Sequence, residues 1–150
     1  MSKAFYAGSF DPFTVGHLSI VERSLALFDK IYIGVGVNIN KPGAEHEGVS
    51  RAKNIRRLTE CFGEKVEVVC YSGLTYAKAQ ELGAGYLLRG LRNSSDFLYE
   101  QQIADVNRKM SGIDTVFMMS LPEHASVSSS VVRELERFGA DVSAFLPEKK

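Results

Sequence analysis

Short apolar runs alternate with amphipathic segments along the whole chain, and this alternation constrains the fold more than any other feature. The apolar runs are rich in β-branched and aromatic residues and predict five strands, at residues 3–8, 31–37, 66–70, 86–88 and 115–119. Strands that alternate with helices form βαβ units, in which the strands are parallel and helices cover both faces of the sheet. We therefore predict one α/β domain over residues 1–150, with a doubly wound sheet of five mainly parallel strands in the order 3-2-1-4-5.

Amphipathic spacing predicts helices between these strands, at residues 17–28, 50–62, 75–82, 95–110, 128–138 and 141–145. Ser50 is the expected N-cap of the second helix, and the preceding segment 42–48 is expected to be a loop that is mobile until substrate binds. In the helix at 95–110, Asp96, Glu100 and Asn107 share one polar face. The apolar residues form a stripe on the opposite face, at Tyr99, Ile103, Val106 and Met110.

The composition excludes several classes of protein. Eighteen Lys and Arg residues balance eighteen Asp and Glu residues, so the chain lacks the basic excess of a non-specific nucleic-acid binder. No apolar run reaches the roughly 18 residues of a bilayer span, and the N-terminus has no signal-peptide pattern. Cys61 and Cys70 are too few for a disulfide framework, and both are expected to be reduced thiols in the core. We therefore expect a cytoplasmic protein with neither a nucleic-acid partner nor a membrane partner.

The loop after the first strand carries the first candidate site. In a sheet of this order the winding reverses between strands one and four, and ligands bind beyond the carboxyl ends of the strands at that point. The loop at residues 8–17 reads GSFDPFTVGH and leads into a helix whose first turn contains His17. Free amides and the positive end of the helix dipole favour a phosphate there, and a histidine can stabilise its growing charge. The alternative is a tight turn with a solvent-facing histidine.

Two more segments lead to the same edge of the predicted sheet. After strand four, Arg89 and Arg92 offer bidentate donors to phosphate, the alternative being a solvated basic loop. Glu100 would accept a bond from a ribose hydroxyl or order the arginines, and its spacing fits an ordinary polar helix face equally well. After strand five, three serine hydroxyls stand at a helix start, at residues 128–130. Helix capping explains one of them, and phosphate binding would explain the others.

These three segments resemble the motifs of one enzyme family. TVGH at residues 14–17 resembles the T/HxGH signature of the nucleotidylyltransferase superfamily, and the longer GSFDPFTVGH is similar to bacterial phosphopantetheine adenylyltransferases in particular. RGLR at residues 89–92, with DFLYE and NR after it, is similar to the second block of that family. VSSSVVR at residues 127–133 resembles the superfamily signature ISSTxxR. The blocks span nearly the whole chain, and the resemblance implies a Rossmann-like fold.

The resemblance also implies a reaction and the residues that perform it. The adenylyl group of ATP passes reversibly to 4′-phosphopantetheine, giving 3′-dephospho-coenzyme A and pyrophosphate in the penultimate step of coenzyme A synthesis. Alignment and electrostatics carry the catalysis, with no covalent intermediate. The implied catalytic residues are His17, which stabilises the α-phosphate in the transition state, Lys41 and Arg92. The implied acceptor-binding residues are Ser9, Lys41, Thr75 and Arg89. The implied ATP-binding residues are Ser9, Phe10, His17, Gly90, Leu91, Arg92, Glu100, His124, Ala125, Ser126, Val127, Ser128, Ser129 and Ser130.

The same resemblance implies Mg²⁺ on the phosphates of ATP, a homohexamer and feedback inhibition by coenzyme A. The chain departs from the family at three places. Thr14 leaves one histidine in the first motif, the loop that holds Lys41 looks one residue short, and residues 124–126 lack the aromatic residues common there. Lys41 is therefore also compatible with a surface lysine. Two other functions stay open: transfer to another acceptor, such as nicotinamide mononucleotide, FMN or glycerol phosphate, and a non-catalytic ATP-binding sensor.

Overall fold

The computed structural model describes residues 1–149 and is built on one parallel sheet. Its strands are β1 (Lys3–Gly8), β2 (Lys30–Gly36), β3 (Val66–Tyr71), β4 (Tyr86–Leu91) and β5 (Asp114–Met119). Neighbouring strands pair in the order β3-β2-β1-β4-β5, and every pair is parallel. The predicted fold class and strand order are confirmed, and the winding reverses between β1 and β4.

Helices connect the strands and cover the sheet. The α-helices in residues 1–149 are α1 (Val15–Ser24), α2 (Ala44–Thr59), α3 (Thr75–Leu82), α4 (Ser94–Ser111) and α5 (Ser129–Arg137). Short 3₁₀ turns follow at Glu60–Lys65, Pro122–His124 and Ser143–Phe145. Within the same residues, no helix combines the length and the apolar character needed to cross a bilayer.

Successive residues of a strand point to opposite faces, and this alternation divides the core into two clusters. On one face Ile33 and Leu88 pack with Ile20 and Val21 of α1 and with Ile55 of α2. The cluster on the other face includes Phe5, Tyr32, Ala79, Leu87 and Ile113. Because both faces of the central strands are covered, these strands are apolar on both sides and do not alternate apolar with polar residues.

The second helix begins earlier than the sequence pattern predicted. α2 starts at Ala44, so Ser50 lies inside the helix and is not its N-cap, and most of the predicted loop 42–48 is helical. The sequence pattern missed the first turn of α2 because its buried residues are small. Ala44 and Gly48 are buried, and a Cβ at Gly48 would lie 2.2 Å from Val37 Cγ1. The first turn of α2 lies close to Val37, just after β2, and requires small residues that a periodicity based on large apolar side chains does not detect.

The strand and thiol predictions also need correction. β4 continues through Leu91, so Arg89, Gly90 and Leu91 lie in the strand and not in a loop after it. Their backbone groups extend the ladder with β5 as far as Met119. Cys61 is exposed because it follows the last buried turn of α2, whereas Cys70 is half-buried. The expectation of two core thiols is therefore wrong for Cys61.

The polar and apolar faces of α4 exchange their usual places. Glu100 is 7% exposed, whereas Tyr99 and Met110 on the opposite face are 67% and 61% exposed. An amphipathic pattern separates two faces but does not say which one a chain turns toward its own sheet. The polar face turns inward here, and its acidic side chains therefore reach the carboxyl edge of β4.

A substitution at Gly34 in β2 tests how tightly the sheet packs against the ring of Phe5. A Cβ at this position would lie 2.3 Å from Cζ of Phe5, whose ring is fully buried and has no space to move. We expect Gly34→Ala to lower the free energy of unfolding by about 1–3 kcal/mol through overpacking. Denaturant unfolding measures this, with Gly85→Ala as the control because a Cβ there meets no atom within 4 Å. Equal transition midpoints for the two variants would contradict the packing described here.

Candidate active site

Two cavities meet at the carboxyl ends of β1 and β4, where the winding reverses. One has a volume of about 410 Å³ and the other about 250 Å³. Among residues 1–149, five line both cavities and mark the junction: Ala7, Gly8, Ser9, Arg89 and Glu100. The larger cavity extends to Asn38, Gly73, Thr75, Ile103 and Asn107. The smaller cavity extends to Phe10, His17, Gly90, Arg92, Asp96, Val127, Ser128 and Ser129.

His17 is held by the N-terminal cap of α1. The Thr14 N–H donates to Nδ1 of His17 at 2.9 Å, and the His17 N–H donates to Oγ1 of Thr14 at 3.3 Å. This reciprocal pair is a capping box in which a histidine takes the place usually held by Glu or Gln. Because Nδ1 accepts a hydrogen bond from a backbone N–H, the neutral ring carries its own proton on Nε2. His17 is therefore a hydrogen-bond donor at the wall of the smaller cavity.

Aromatic rings and two arginines keep His17 uncharged. Phe13 stacks on the imidazole at 5.5 Å between ring centroids, and Phe10 meets it edge-on at 5.0 Å. Burial lowers the pKa of His17 to about 4, and the positive charges of Arg89 and Arg92 add to this effect. The ring is thus neutral at physiological pH and acts on an anion as a dipole.

The backbone of the β1–α1 loop is strained at one residue. Phe10 has φ of 49°, in the left-handed region that residues with a side chain rarely occupy, and its side chain is 3% exposed. Its ring lies over Gly8, where a Cβ would come within 3.1 Å of it. A side chain at residue 8 would therefore press on the Phe10 ring, and strained backbone of the kind seen at Phe10 is often found at functional sites.

Each arginine at the site is paired with an acidic residue of α4. Nε and Nη2 of Arg89 donate to the carboxylate of Glu100 at 2.9 and 2.6 Å, and Nη1 donates to the carbonyl of Ala7. Arg92 donates to Asp96 through Nε and Nη2, both at 3.0 Å. Of the roles considered for Glu100, the structure shows the ordering of an arginine. These bidentate pairs leave both guanidinium groups on the cavity walls.

The three serines at the start of α5 differ in their surroundings. Ser128 is the N-cap and accepts from the Val131 N–H at 3.2 Å, and Ser129 donates to the carbonyl of Pro12 at 2.7 Å. Both line the smaller cavity, whereas Ser130 is exposed outside it, with Arg133 donating to its Oγ at 3.3 Å. Capping therefore uses one hydroxyl, and a contact between the start of α5 and the β1–α1 loop uses a second.

Several residues that the resemblance assigned to the site line neither cavity. Lys41 is exposed in the β2–α2 loop, and Leu91 is the last residue of β4. His124 stands beside Gly16, and its Nδ1 is buried without a hydrogen-bond partner. The other residues outside the two cavities are Ala125, Ser126 and Ser130.

The motif search missed other residues of the two cavities. Asp96 was seen only as part of a polar helix face, although it follows Arg92 at the i,i+4 spacing of an ion pair. Asn38 and Gly73 follow β2 and β3, and both line the larger cavity. The rule that ligands bind beyond the carboxyl ends of strands would have included these two loops.

Comparisons with known sequences identify the family of the chain. The Cytidylyltransferase-like family profile matches residues 5–135. The phosphopantetheine adenylyltransferase of Bacteroides thetaiotaomicron is 44% identical over 148 residues, covering 99% of this chain and 97% of the relative. The enzyme of the same name from Porphyromonas gingivalis strain ATCC 33277 is 46% identical over 147 residues, covering 97% and 94%.

A comparison with solved structures agrees with the fold. A bifunctional NMN adenylyltransferase/ADP ribose pyrophosphatase from Francisella tularensis, in complex with AMP and a Mn ion, superposes with a TM-score of 0.67. The identity is 13%, and the match covers 99% of this chain and 45% of the larger protein. At this identity the similarity establishes the architecture alone.

The low pKa of His17 predicts how stability depends on pH. The unfolded chain takes up a proton near pH 6.5, whereas the folded protein does so only near pH 4, so stability is lost as pH falls between these values. The difference corresponds to about 3 kcal/mol. We expect the unfolding free energy of the native protein to fall by about that much more than that of His17→Gln between pH 7 and pH 4. NMR titration of the His17 ring measures its pKa directly, and a value near 6.5 would contradict the buried, neutral imidazole.

Proposed function

The chain belongs to the Cytidylyltransferase-like family and to the phosphopantetheine adenylyltransferases, and from this membership we propose how its two cavities serve the reaction. The enzyme is a nucleotidyltransferase that moves the adenylyl group of ATP to 4′-phosphopantetheine, giving dephospho-coenzyme A and pyrophosphate. One observation carries the proposal. Two cavities share a junction lined by Ser9 and Arg89, which suits two phosphorylated reactants placed end to end.

The cavities differ in the chemistry they offer, and this difference supports assigning one reactant to each. The smaller cavity has His17, Arg92 and the N-terminus of α5, which are donors suited to a triphosphate. The larger has Phe5, Leu87 and Ile103 beside the amide of Asn107. Apolar walls with a few amide and hydroxyl groups suit the pantetheine arm, which combines methyl groups with amides. We therefore assign ATP to the smaller cavity and phosphopantetheine to the larger one.

The transfer needs alignment and charge stabilisation but no protein nucleophile. An oxygen of the acceptor phosphate forms a bond to the α-phosphorus of ATP, and the bond from that phosphorus to the α–β bridging oxygen breaks, releasing pyrophosphate. The Nε2–H of His17 donates to a non-bridging α-oxygen as its negative charge grows. Because the imidazole is neutral and its Nδ1 is occupied, it performs this role without transferring a proton.

The cationic side chains divide the remaining charge between them. Arg89, held at the junction by Glu100, contacts the acceptor phosphate, and Arg92 contacts the polyphosphate that becomes pyrophosphate. Lys41 reaches the acceptor phosphate from the loop that follows β2, where Asn38 already lines the larger cavity. The proposed ATP site also includes residues that line neither cavity but lie near lining residues in the chain: Leu91, His124, Ala125, Ser126 and Ser130.

Mg²⁺ enters the proposal as part of the ATP substrate. Within residues 1–149, no group of three or more His, Cys, Asp or Glu side chains stands ready to hold a metal ion. Asp96 and Glu100, the carboxylates that line the smaller cavity, are both bonded to arginines. A divalent ion carried by phosphate oxygens and water fits these surroundings, because Mg²⁺ keeps several waters and needs few protein ligands.

The proposal extends to assembly, regulation and compartment. The exposed apolar stripe of α4, with Tyr99, Val106 and Met110 at the surface, supports self-association. We extend the proposal to the homohexamer that the family resemblance implies. Inhibition by coenzyme A follows from its likeness to the product, since it shares the pantetheine arm and the adenylyl group. Two free thiols, Cys61 and Cys70, agree with the cytoplasm as the compartment.

The alternatives differ in what they require of the larger cavity. Another phosphorylated acceptor would have to fill the space beside Ile103 and Asn107, and a non-catalytic ATP sensor would have no need of it. The two relatives described above cover nearly the whole chain and are named phosphopantetheine adenylyltransferase, which favours 4′-phosphopantetheine as the acceptor. An assay of ATP with each candidate acceptor in turn separates the three hypotheses. Transfer to phosphopantetheine supports the proposal, transfer only to another acceptor supports the first alternative, and ATP binding with no transfer supports the sensor.

Removal of the His17 imidazole tests the proposed chemistry. Purified protein with ATP, Mg²⁺ and phosphopantetheine is expected to form dephospho-coenzyme A, detected by its mass. His17→Ala is expected to keep its circular dichroism spectrum but to lose about 10²–10³-fold in kcat and in pyrophosphate exchange into ATP, the usual effect of one lost transition-state donor. His46→Ala, exposed on α2 outside both cavities, is the matched control. Normal exchange in His17→Ala would refute the role given to the imidazole.

The assignment of reactants to cavities has its own test. Arg92→Gln is expected to raise KM for ATP about tenfold, because a charge-assisted bond is lost, and to leave KM for phosphopantetheine nearly unchanged. Thr75→Val, in the larger cavity, is expected to raise KM for phosphopantetheine by about threefold to tenfold and to leave KM for ATP nearly unchanged. Steady-state kinetics with each substrate varied in turn measure both effects. The reverse pattern would exchange the two assignments.

A further inference from the structure

Side chains from other elements hold the backbone carbonyls of the β1–α1 loop. Nε of Arg51, on α2, lies 2.9 Å from the carbonyl oxygen of Ser9 and donates to it. Further carbonyls in this region are bonded in the same way, Ala7 by Arg89, Asp11 by Arg133 and Pro12 by Ser129. The donors Arg89, Ser129 and Arg133 lie within the motif segments, whereas Arg51 lies in none of them.

Arg51 lies outside the two cavities, although the residue whose carbonyl it binds lies at their junction. Ser9 lines both cavities, and Arg51 lines neither. We propose that Arg51 is a positioning residue for adenylyl transfer, which sets the orientation of the peptide between Ser9 and Phe10 at the junction of the cavities. The inference rests on the proposed function, because the junction is where that function places the reacting phosphates.

Peptide geometry explains how one bond has this effect. The Ser9 carbonyl and the Phe10 N–H belong to one planar trans peptide group and point in opposite directions. Arg51 therefore turns the partly negative oxygen toward α2 and the N–H away from it. Within residues 1–149 the Phe10 N–H has no hydrogen-bond acceptor, although Phe10 lines the smaller cavity. The peptide is thus held with its donor free and its acceptor occupied, as an anionic reactant requires.

The strained conformation of Phe10 makes this bond more important. A left-handed residue with a side chain persists only where its surroundings hold it in place, and here φ is 49°. Phe13 and His17 hold the ring, at centroid distances of 5.6 and 5.0 Å. Arg51 holds the backbone immediately before it. Without that bond the peptide is free to rotate, and the ring that contacts the His17 imidazole moves with it.

The helix that carries Arg51 also supplies a matched control. Nη2 of Arg56 donates to the carbonyl of Val68 at 2.9 Å, and Arg56 lines neither cavity. Arg51→Gln and Arg56→Gln each remove one bond from an arginine to a carbonyl, so similar losses in Tm are expected. Arg51→Gln alone is expected to lower kcat by about tenfold or more, because a small misplacement at the reacting centre is costly, with KM for both substrates changed less than kcat. Arg51→Lys is expected to regain part of the rate, since its ammonium retains a donor for the Ser9 carbonyl.

The outcomes separate this inference from the proposed function. A kcat for Arg51→Gln within about twofold of that of Arg56→Gln, at similar Tm, overturns the positioning role while leaving the reaction intact. If Arg51→Gln does not fold, Arg51→Lys is compared with Arg56→Lys: a lower kcat for Arg51→Lys supports the role, and equal values overturn it. Failure of the native protein to form dephospho-coenzyme A would refute the proposed function instead.

Discussion

The ion pair between Arg89 and Glu100 organises the site and much of the fold around it. Arg89 stands in β4 at the reversal of winding, and it bonds both carboxylate oxygens of Glu100 on α4 and the carbonyl of Ala7 on β1. Three elements are thereby connected at the floor of both cavities. The carboxylate of Glu100, a buried residue, requires such a partner, because an unpaired buried charge is strongly destabilising. The pair draws the polar face of α4 inward and leaves the apolar stripe at the surface.

Arg89 and Arg92 also affect the charge state of His17, which decides how its ring acts on a phosphate. Burial keeps the imidazole neutral, and the positive charges of Arg89 and Arg92 add to this effect. The capping box with Thr14 takes up Nδ1, so the structure leaves Nε2–H as the single donor of the ring. Positive charge comes from guanidinium groups held by Asp96 and Glu100, while a directed dipole comes from His17. This division of roles suits a reaction in which charge moves between phosphates and no proton needs to be transferred.

Sequence patterns predicted some elements at their observed bounds and missed the ends of others. β1 and α3 were predicted at their observed bounds, because each combines a clear period with a residue that ends it. The start of α2 was missed where Ala44 and Gly48 replace large apolar residues, and the end of β4 was missed because Arg89 looked like loop sequence. Motif residues such as His17, Arg92 and Ser129 do line one cavity, as expected when the carboxyl ends of parallel strands meet. Arg51 gave no motif signal, since its role depends on a contact with a backbone carbonyl 42 residues away.

The sequence by itself determined the order of strands and helices, the strand topology and the segments that carry phosphate chemistry. These depend on local periodicity, turn residues and the handedness of βαβ connections, which short stretches of chain encode. Only the tertiary structure decided which face of α4 turns inward, which acid holds each arginine, which tautomer His17 adopts and which helix holds the Ser9 carbonyl. The bond from Arg51 to Ser9 joins residues 42 positions apart, which no local pattern records. The contacts of His17 with Thr14 and of Arg92 with Asp96 are three and four residues apart, but they depend on side-chain conformations that a hydrophobic period does not encode.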